Sequence, residues 1–272
     1  MNIVKDILDM AGDMKARGEP FALATVVRTL SLTAAKAGAK AVIRPDGSIS
    51  GGWIGGGCAR AAVLKAARDA IADGMPRLVS IQPKDLLASH GVEAGQAHDG
   101  VLYASNMCPS QGTMDVFVEP VLPRPALVVM GASPVAIATA ELARRMGFAV
   151  TIAAPAAEHA LFDGAERFLD GFALPDAPGS FVVVATQGKG DSAALKGALA
   201  GAHRYLGFVG SRRKAAWLKA ALAGEGIAAE KLAQIRAPAG LDLGAINPDE
   251  IALSIVAEII EVRRRGQRAA PV

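Results

Sequence analysis

Two cysteines are the only thiols of this 272-residue chain, and each has a setting unusual for a spare buried thiol. Cys58 closes the run Gly55-Gly56-Gly57-Cys58 and opens a helical pattern over residues 59–73. Cys108 lies in Asn106-Met107-Cys108-Pro109-Ser110, between two strand-like stretches. Glycines let a ligand approach the backbone, and a helix start offers free N–H groups with a partial positive charge. A cysteine placed there is biased toward thiolate, the form that binds soft metals and carries sulfur chemistry. The other reading of either residue is a small buried hydrophobe.

Two further clusters have anion chemistry. Gly210-Ser211-Arg212-Arg213-Lys214 joins a turn, an N-cap residue and three cations at the start of a helix, behind a strand-like run at 205–209. That is the place where open α/β sheets bind ligands, although a solvated basic surface has the same composition. Arg28 ends an expected strand, and Ser31, Thr33, Lys36 and Lys40 follow it, a second anion contact expected near Cys58. Asp191, after Thr186-Gln187-Gly188-Lys189-Gly190, is read as a ligand-orienting carboxylate or as the cap of the next helix. No serine–histidine–acid set can be assembled from order and spacing. Zinc is disfavoured, because Cys-x-x-Cys is absent and the four histidines are scattered.

The elements that must position these residues fall into two halves. Residues 1–122 read as a mixed α+β domain, with an N-terminal helix over 1–18, strands at 21–28, 39–44, 77–82, 101–105 and 113–121, and the helix behind Cys58. Prolines 120, 123 and 125 break the chain in quick succession. Residues 123–272 then alternate apolar strands at 126–130, 149–153, 181–185 and 205–209 with helices, which predicts a Rossmann-like, doubly wound parallel sheet. Asn247-Pro248-Asp249-Glu250 supplies an N-cap, an N1 proline and an N3 glutamate for a last helix, whose isoleucine and valine stripe suits a core or a subunit contact.

The dinucleotide fingerprint is degenerate. Gly131 can make the tight turn, but Ser133 and Ala136 replace the second and third glycines, and Pro134 removes an amide. Ala154-Pro155 stands where an acidic residue would hold a ribose hydroxyl, so binding of NAD or NADP is disfavoured. The charge balance excludes a nucleic-acid partner: the net charge is +3, and residues 1–122 carry 12 basic against 12 acidic side chains. No apolar run reaches the length of a membrane span, and no signal-peptide pattern opens the chain, so a cytoplasmic protein with reduced thiols is expected.

These motifs resemble the XdhC/CoxI family, accessory proteins for molybdenum hydroxylases, over nearly the whole chain. The similarity rests on Ala24-Thr25-Val26-Val27-Arg28, Gly38-Ala39-Lys40, Gly56-Gly57-Cys58, Cys108, and Val116-Phe117-Val118-Glu119-Pro120. It continues with Leu206-Gly207-Phe208-Val209-Gly210-Ser211-Arg212-Arg213-Lys214, with Pro238-Ala239-Gly240-Leu241-Asp242, and with Pro248-Asp249-Glu250-Ile251-Ala252. Leu30-Ser31-Leu32-Thr33, Arg60, Cys108-Pro109-Ser110 and Thr186-Gln187 depart from the family pattern, as a branch similar to the CoxF-like proteins would.

The resemblance implies a protein that binds molybdenum cofactor (molybdopterin), keeps it intact during sulfuration and helps insert it into an apo-enzyme. The implied clients are xanthine dehydrogenase-like or carbon monoxide dehydrogenase-like hydroxylases, with a cysteine desulfurase as a further partner and a homodimer as the assembly. The implied metal ligands are Cys58 and Cys108. Gly56, Gly57, Arg28, Lys40, Gly131, Ser133, Asp191, Ser211, Arg212, Arg213 and Lys214 are the other candidate cofactor contacts. A reading of another class is a nucleotide-dependent oxidoreductase or transferase that uses the Rossmann-like half.

Overall fold

The computed structural model describes residues 6–31, 33–107 and 111–265. The chain divides between Pro123 and Arg124 into two compact units. In the first, α1 (Ile7–Ala16) starts on Asp6, whose carboxylate accepts the Leu8 amide at 2.8 Å. Then come β1 (Phe21–Leu30), β2 (Lys40–Ile43), β3 (Ile49–Gly52), α2 (Gly57–Asp73), β4 (Arg77–Gln82) and α3 (Lys84–Ser89). The short β5 (Ala97–His98), β6 (Val101–Ser105) and β7 (Thr113–Val121) complete it.

The seven strands form one mixed sheet in the order β3-β2-β1-β7-β4-β6-β5, with β4 and β6 parallel and the other pairs antiparallel. Alternation assigns its faces. Ala22, Ala24 and Val26 of β1, with Met114, Val116 and Val118 of β7, pack with Val63, Ala66, Ala67 and Ala70 of α2. Phe21 and Leu23 lie on the other face, where Met14 and Met10 of α1 cover one end.

β1 runs two residues past the expected end, because a bulge between Val26 and Arg28 lets it keep pairing with β7 as far as Thr113. The glycine-rich stretch ahead of Cys58 begins as strand, because β3 runs to Gly52. Gly52, at φ +82°, pairs with Ala41, and a Cβ there would lie 2.0 Å from the Lys40 carbonyl oxygen. That glycine serves strand packing, not ligand access.

The second unit contains β8 (Ala126–Met130), α4 (Pro134–Arg145), β9 (Ala149–Ala154), a 3₁₀ turn (Ala156–Leu161), β10 (Arg167–Asp170) and β11 (Phe181–Val184). It continues with α5 (Asp191–Leu199), β12 (Tyr205–Phe208), α6 (Arg212–Gly224), α7 (Ala229–Ala233), β13 (Ile235–Arg236) and α8 (Pro248–Arg264). All six strands are parallel, in the order β10-β9-β8-β11-β12-β13. Counted from β8, that is 3-2-1-4-5-6, the doubly wound Rossmann arrangement. Leu127 and Val129 face α4 and α8, while Val128 and Met130 face α5 and α6, so both sides are buried and the strands read as continuous apolar runs. The capping box of α8 forms through Asn247 and Glu250, and Ile255, Val256 and Ile259 lie in the core. No described helix is long and apolar enough to cross a membrane.

Candidate functional site

In the first unit, α2 caps on Gly56 with no side-chain hydrogen bond and has no acidic residue in its first turn. Cys58 is therefore the second residue of a helix whose leading amides have no side-chain acceptor among the described residues and whose first turn carries no carboxylate to offset the dipole. A Cβ at Gly56 or Gly57 would meet nothing within 4 Å among the described residues, which leaves the approach to this helix start open on their side. These features fit an anionic or thiolate-held group. The Cys58 side chain and all of Cys108 lie outside the described residues. On either side of residues 108–110, the Asn106 side-chain amide nitrogen donates to the Gly112 carbonyl at 2.6 Å.

Arg28 and Lys40 do not join Cys58. Arg28 Nε donates to Asp115 Oδ2 at 2.5 Å, and Asp115 lies between Met114 and Val116, on the face turned away from α2. Lys40 opens β2, and its Nζ donates to Thr25 Oγ1 at 3.0 Å on that same far face. The sheet thus stands between these two cations and the cysteine. Behind Arg28, Ser80 Oγ donates to Asp115 Oδ1 at 2.6 Å and Gln82 Nε2 donates to Ser80 Oγ at 2.8 Å. Ser80, Gln82 and Asp115 escaped the sequence reading. Their only local signal is the alternation Val79-Ser80-Ile81-Gln82, polar residues at every second place of a buried strand.

In the second unit, the carboxyl ends of the strands gather the expected loops. Gly131, at φ +97°, turns so close to β11 that a Cβ would lie 2.7 Å from the Thr186 Cα and 2.9 Å from the Ala185 oxygen. Ser133 is the N-cap of α4, its hydroxyl accepting the Ala136 amide at 3.2 Å, and Pro134 follows at the first helical position. Beyond β9, in place of a ribose-binding carboxylate, the His159 ring bonds the Ala154 carbonyl at 2.8 Å and the Leu169 carbonyl at 3.2 Å.

Asp191 neither caps a helix nor faces a ligand alone. Gly190 holds the N-cap position, and the buried Asp191 carboxylate accepts from the Thr186 hydroxyl, the Gly188 amide (3.0 Å) and the Lys214 ammonium. Burial alone would push this carboxyl up, but the Lys214 contact and the two hydrogen bonds outweigh it and hold it below the usual carboxylate range. Lys214 is thereby neutralised. Ser211 caps α6 by accepting the Lys214 amide at 3.2 Å, and Arg212 and Arg213 remain exposed, without an ion pair among the described residues.

Beside this helix start lies a cavity of about 500 Å³, lined by Gly210, Ser211, Arg212, Asp242, Gly244 and Ser254 among others. A buried carboxylate fixes its loop. Glu258 of α8 accepts from the Tyr205 hydroxyl at 2.6 Å, the Gly240 amide at 2.8 Å and Arg236 at 3.0 Å. Burial, reinforced by the Glu258 carboxylate, raises the Tyr205 phenol far above its ordinary value and keeps it a donor. Among the described residues, no cluster of three or more His, Cys, Asp or Glu side chains is placed to hold a metal ion.

A mixed sheet carrying a cysteine on an uncapped helix start, followed by a Rossmann unit with a degenerate glycine turn, defines a two-unit protein of the XdhC type. The chain belongs to the XdhC and CoxI family: that family's model matches residues 14–82, and the XdhC Rossmann domain matches residues 127–259. It is 32% identical over 271 residues to the uncharacterized protein YqeB of Escherichia coli K12, covering 96% of this chain and 47% of that protein. It is 31% identical over 165 residues to a probable xanthine dehydrogenase subunit of Bacillus subtilis 168, covering 56% of this chain and 47% of that protein. The chain thus spans about half the length of the curated relatives it matches. A solved chain described as a xanthine dehydrogenase from Bacillus halodurans aligns over 98% of both chains at 19% identity, with a TM-score of 0.48.

Proposed function

We propose that this chain is an accessory protein that binds molybdenum cofactor through Cys58 and supports its sulfuration and insertion into a molybdenum hydroxylase. The observation that carries the reading is Cys58 itself, the second residue of a glycine-opened helix whose N-cap residue offers no side-chain acceptor, inside the span matched by the family model. The relative from Bacillus subtilis is named as a probable xanthine dehydrogenase subunit, which supports a hydroxylase as client. The cofactor supplies a metal centre carried on a phosphate-bearing pterin. Here the thiolate of Cys58 would hold the metal end, with Cys108 as a second soft donor, and the amides of Gly57 and Cys58 would face negative charge. In the second unit, taken by itself, Arg212 and Arg213 at the start of α6 would attract a phosphate-bearing ligand to the neighbouring cavity. Delivery of sulfur by a cysteine desulfurase and a homodimeric assembly belong to the same proposal.

The test is metal and pterin analysis of protein purified without oxygen from cells that make the cofactor, for the natural chain and for Cys58→Ser. Molybdenum and pterin in equal amounts on the first, and both lost from the second, are the expected result. Unchanged cofactor on Cys58→Ser would sink the assignment. The alternative, a nucleotide-dependent oxidoreductase or transferase, draws on the Rossmann strand order and stands or falls on dinucleotide binding.

A further inference from the structure

We infer that Arg28 is a pre-oriented receptor for a phosphate group, on the sheet face away from α2, and that Asp115 is its positioning residue. The inference rests on the reading that this unit handles a phosphate-bearing planar cofactor, and it names a contact separate from Cys58.

The starting point is an imbalance between cost and visible return. Asp115 is 8%, Ser80 3% and Gln82 4% exposed. All three lie on strands where alternation would place apolar side chains at little cost. Burying a carboxylate is unfavourable unless it is well paired, and a pair with a surface arginine returns little stability. Yet the chain Gln82→Ser80→Asp115←Arg28 crosses β4, β7 and β1 without a break, each link at 2.8 Å or less. Register puts Asp115 opposite both Ser80 and Arg28, so the row runs straight across the sheet. Its inner end is left open: the Gln82 Oε1 atom is buried and has no hydrogen-bond partner among the described residues. An unsatisfied buried acceptor marks a place where stability has given way to some other requirement.

The outer end shows what that requirement is. The Arg28 side chain is 56% exposed, and among the described residues only its Nε is engaged, which leaves the end-on edge of the guanidinium, with one N–H from each terminal nitrogen, for another acceptor. A guanidinium held by Nε in a fixed plane presents the two-pronged geometry that phosphate oxygens accept. On the same face and further along β1, Thr25 lies opposite Phe117, a residue 38% exposed, and Lys40 is anchored to Thr25. A planar heterocycle could lie against Phe117, with its phosphate on Arg28 and Lys40 as the second cation.

Calorimetry on the whole chain would use guanosine 5′-monophosphate as the ring-plus-phosphate probe, with guanosine and inorganic phosphate as its separate parts. The monophosphate should bind saturably and at least tenfold tighter than either part. Arg28→Lys, which keeps the charge and loses the fork, should weaken it about tenfold. Asp115→Asn should weaken it about fivefold in the natural chain but leave it unchanged in the Arg28→Lys background, because Asp115 acts through Arg28. Arg28→Lys changes an exposed tip, so its melting temperature should match that of the natural chain even if Asp115→Asn folds poorly. Absence of saturable binding, an unaffected Arg28→Lys variant, or additive losses in the double variant would each overturn the inference. Molybdenum content is not read here, so a failed cofactor assignment at Cys58 leaves this test standing, and the reverse also holds.

Discussion

Lys214 and Asp191 pair across the carboxyl edge of the parallel sheet, tying the first turn of α6 to the first residue of α5. The lysine that crowns a basic sequence motif is therefore a strut between two loops, and the cations left for a ligand in that motif are Arg212 and Arg213. Lys214→Ala should leave a buried carboxylate short of its counter-charge and lower stability by about 1–3 kcal/mol. Thermal unfolding of the variant beside Arg212→Ala, which should shift little, checks the distinction.

The same pair sets an acid dependence. Asp191 titrates lower in the folded chain than in the unfolded one, so its contribution to stability is complete above the unfolded value of roughly 3.9 and is lost as pH falls through the folded value. Urea midpoints measured from pH 6 down to pH 2.5 should fall more steeply for the natural chain than for Asp191→Asn.

Replacing Arg212 and Arg213 together with alanine should weaken binding of a phosphate-bearing ligand by roughly tenfold and flatten its salt dependence, since two exposed cations attract an anion over about a Debye length. The ligand-free melting temperature should stay the same or rise slightly, because like charges at one helix start repel. Titration at two salt concentrations decides the point.

Cys58→Ser should change folding stability by less than about 0.5 kcal/mol, as a conservative change at an open helix start. Thermal unfolding of the variant beside the natural chain is the measurement, and a large drop in melting temperature would contradict it.

Gly131→Ala should cost roughly 2–3 kcal/mol, because the added methyl would meet the backbone of Thr186 and the residue would be held at φ +97°. Melting temperature is the readout, and a variant as stable as the natural chain would contradict the close packing of these two loops.

NAD and NADP should bind with dissociation constants no tighter than about a millimolar, since Ser133 is spent on capping α4, Pro134 offers no amide, and His159 bonds the backbone beyond β9. Micromolar binding by calorimetry would revive the oxidoreductase reading.

The class of fold and the family were legible along the chain because their signals are local. Alternating apolar strands and helices announced the parallel sheet, Asn247-Pro248-Asp249-Glu250 announced α8, and Gly-Gly-Cys with Gly-Ser-Arg-Arg-Lys announced the kinship. Caps, turns and periodicity act within a few residues, so sequence order alone carries them. What a side chain meets across a sheet is decided by register and by which face alternation assigns to it. Only the fold could place Arg28 and Lys40 on the far side of the sheet from Cys58, set Asp115 opposite Arg28 at a separation of 87 residues, and turn Lys214 from a ligand's cation into the partner of Asp191. A bulge at Val26 shifts the pairing of everything beyond it, and no local pattern in β1 states where that bulge will fall.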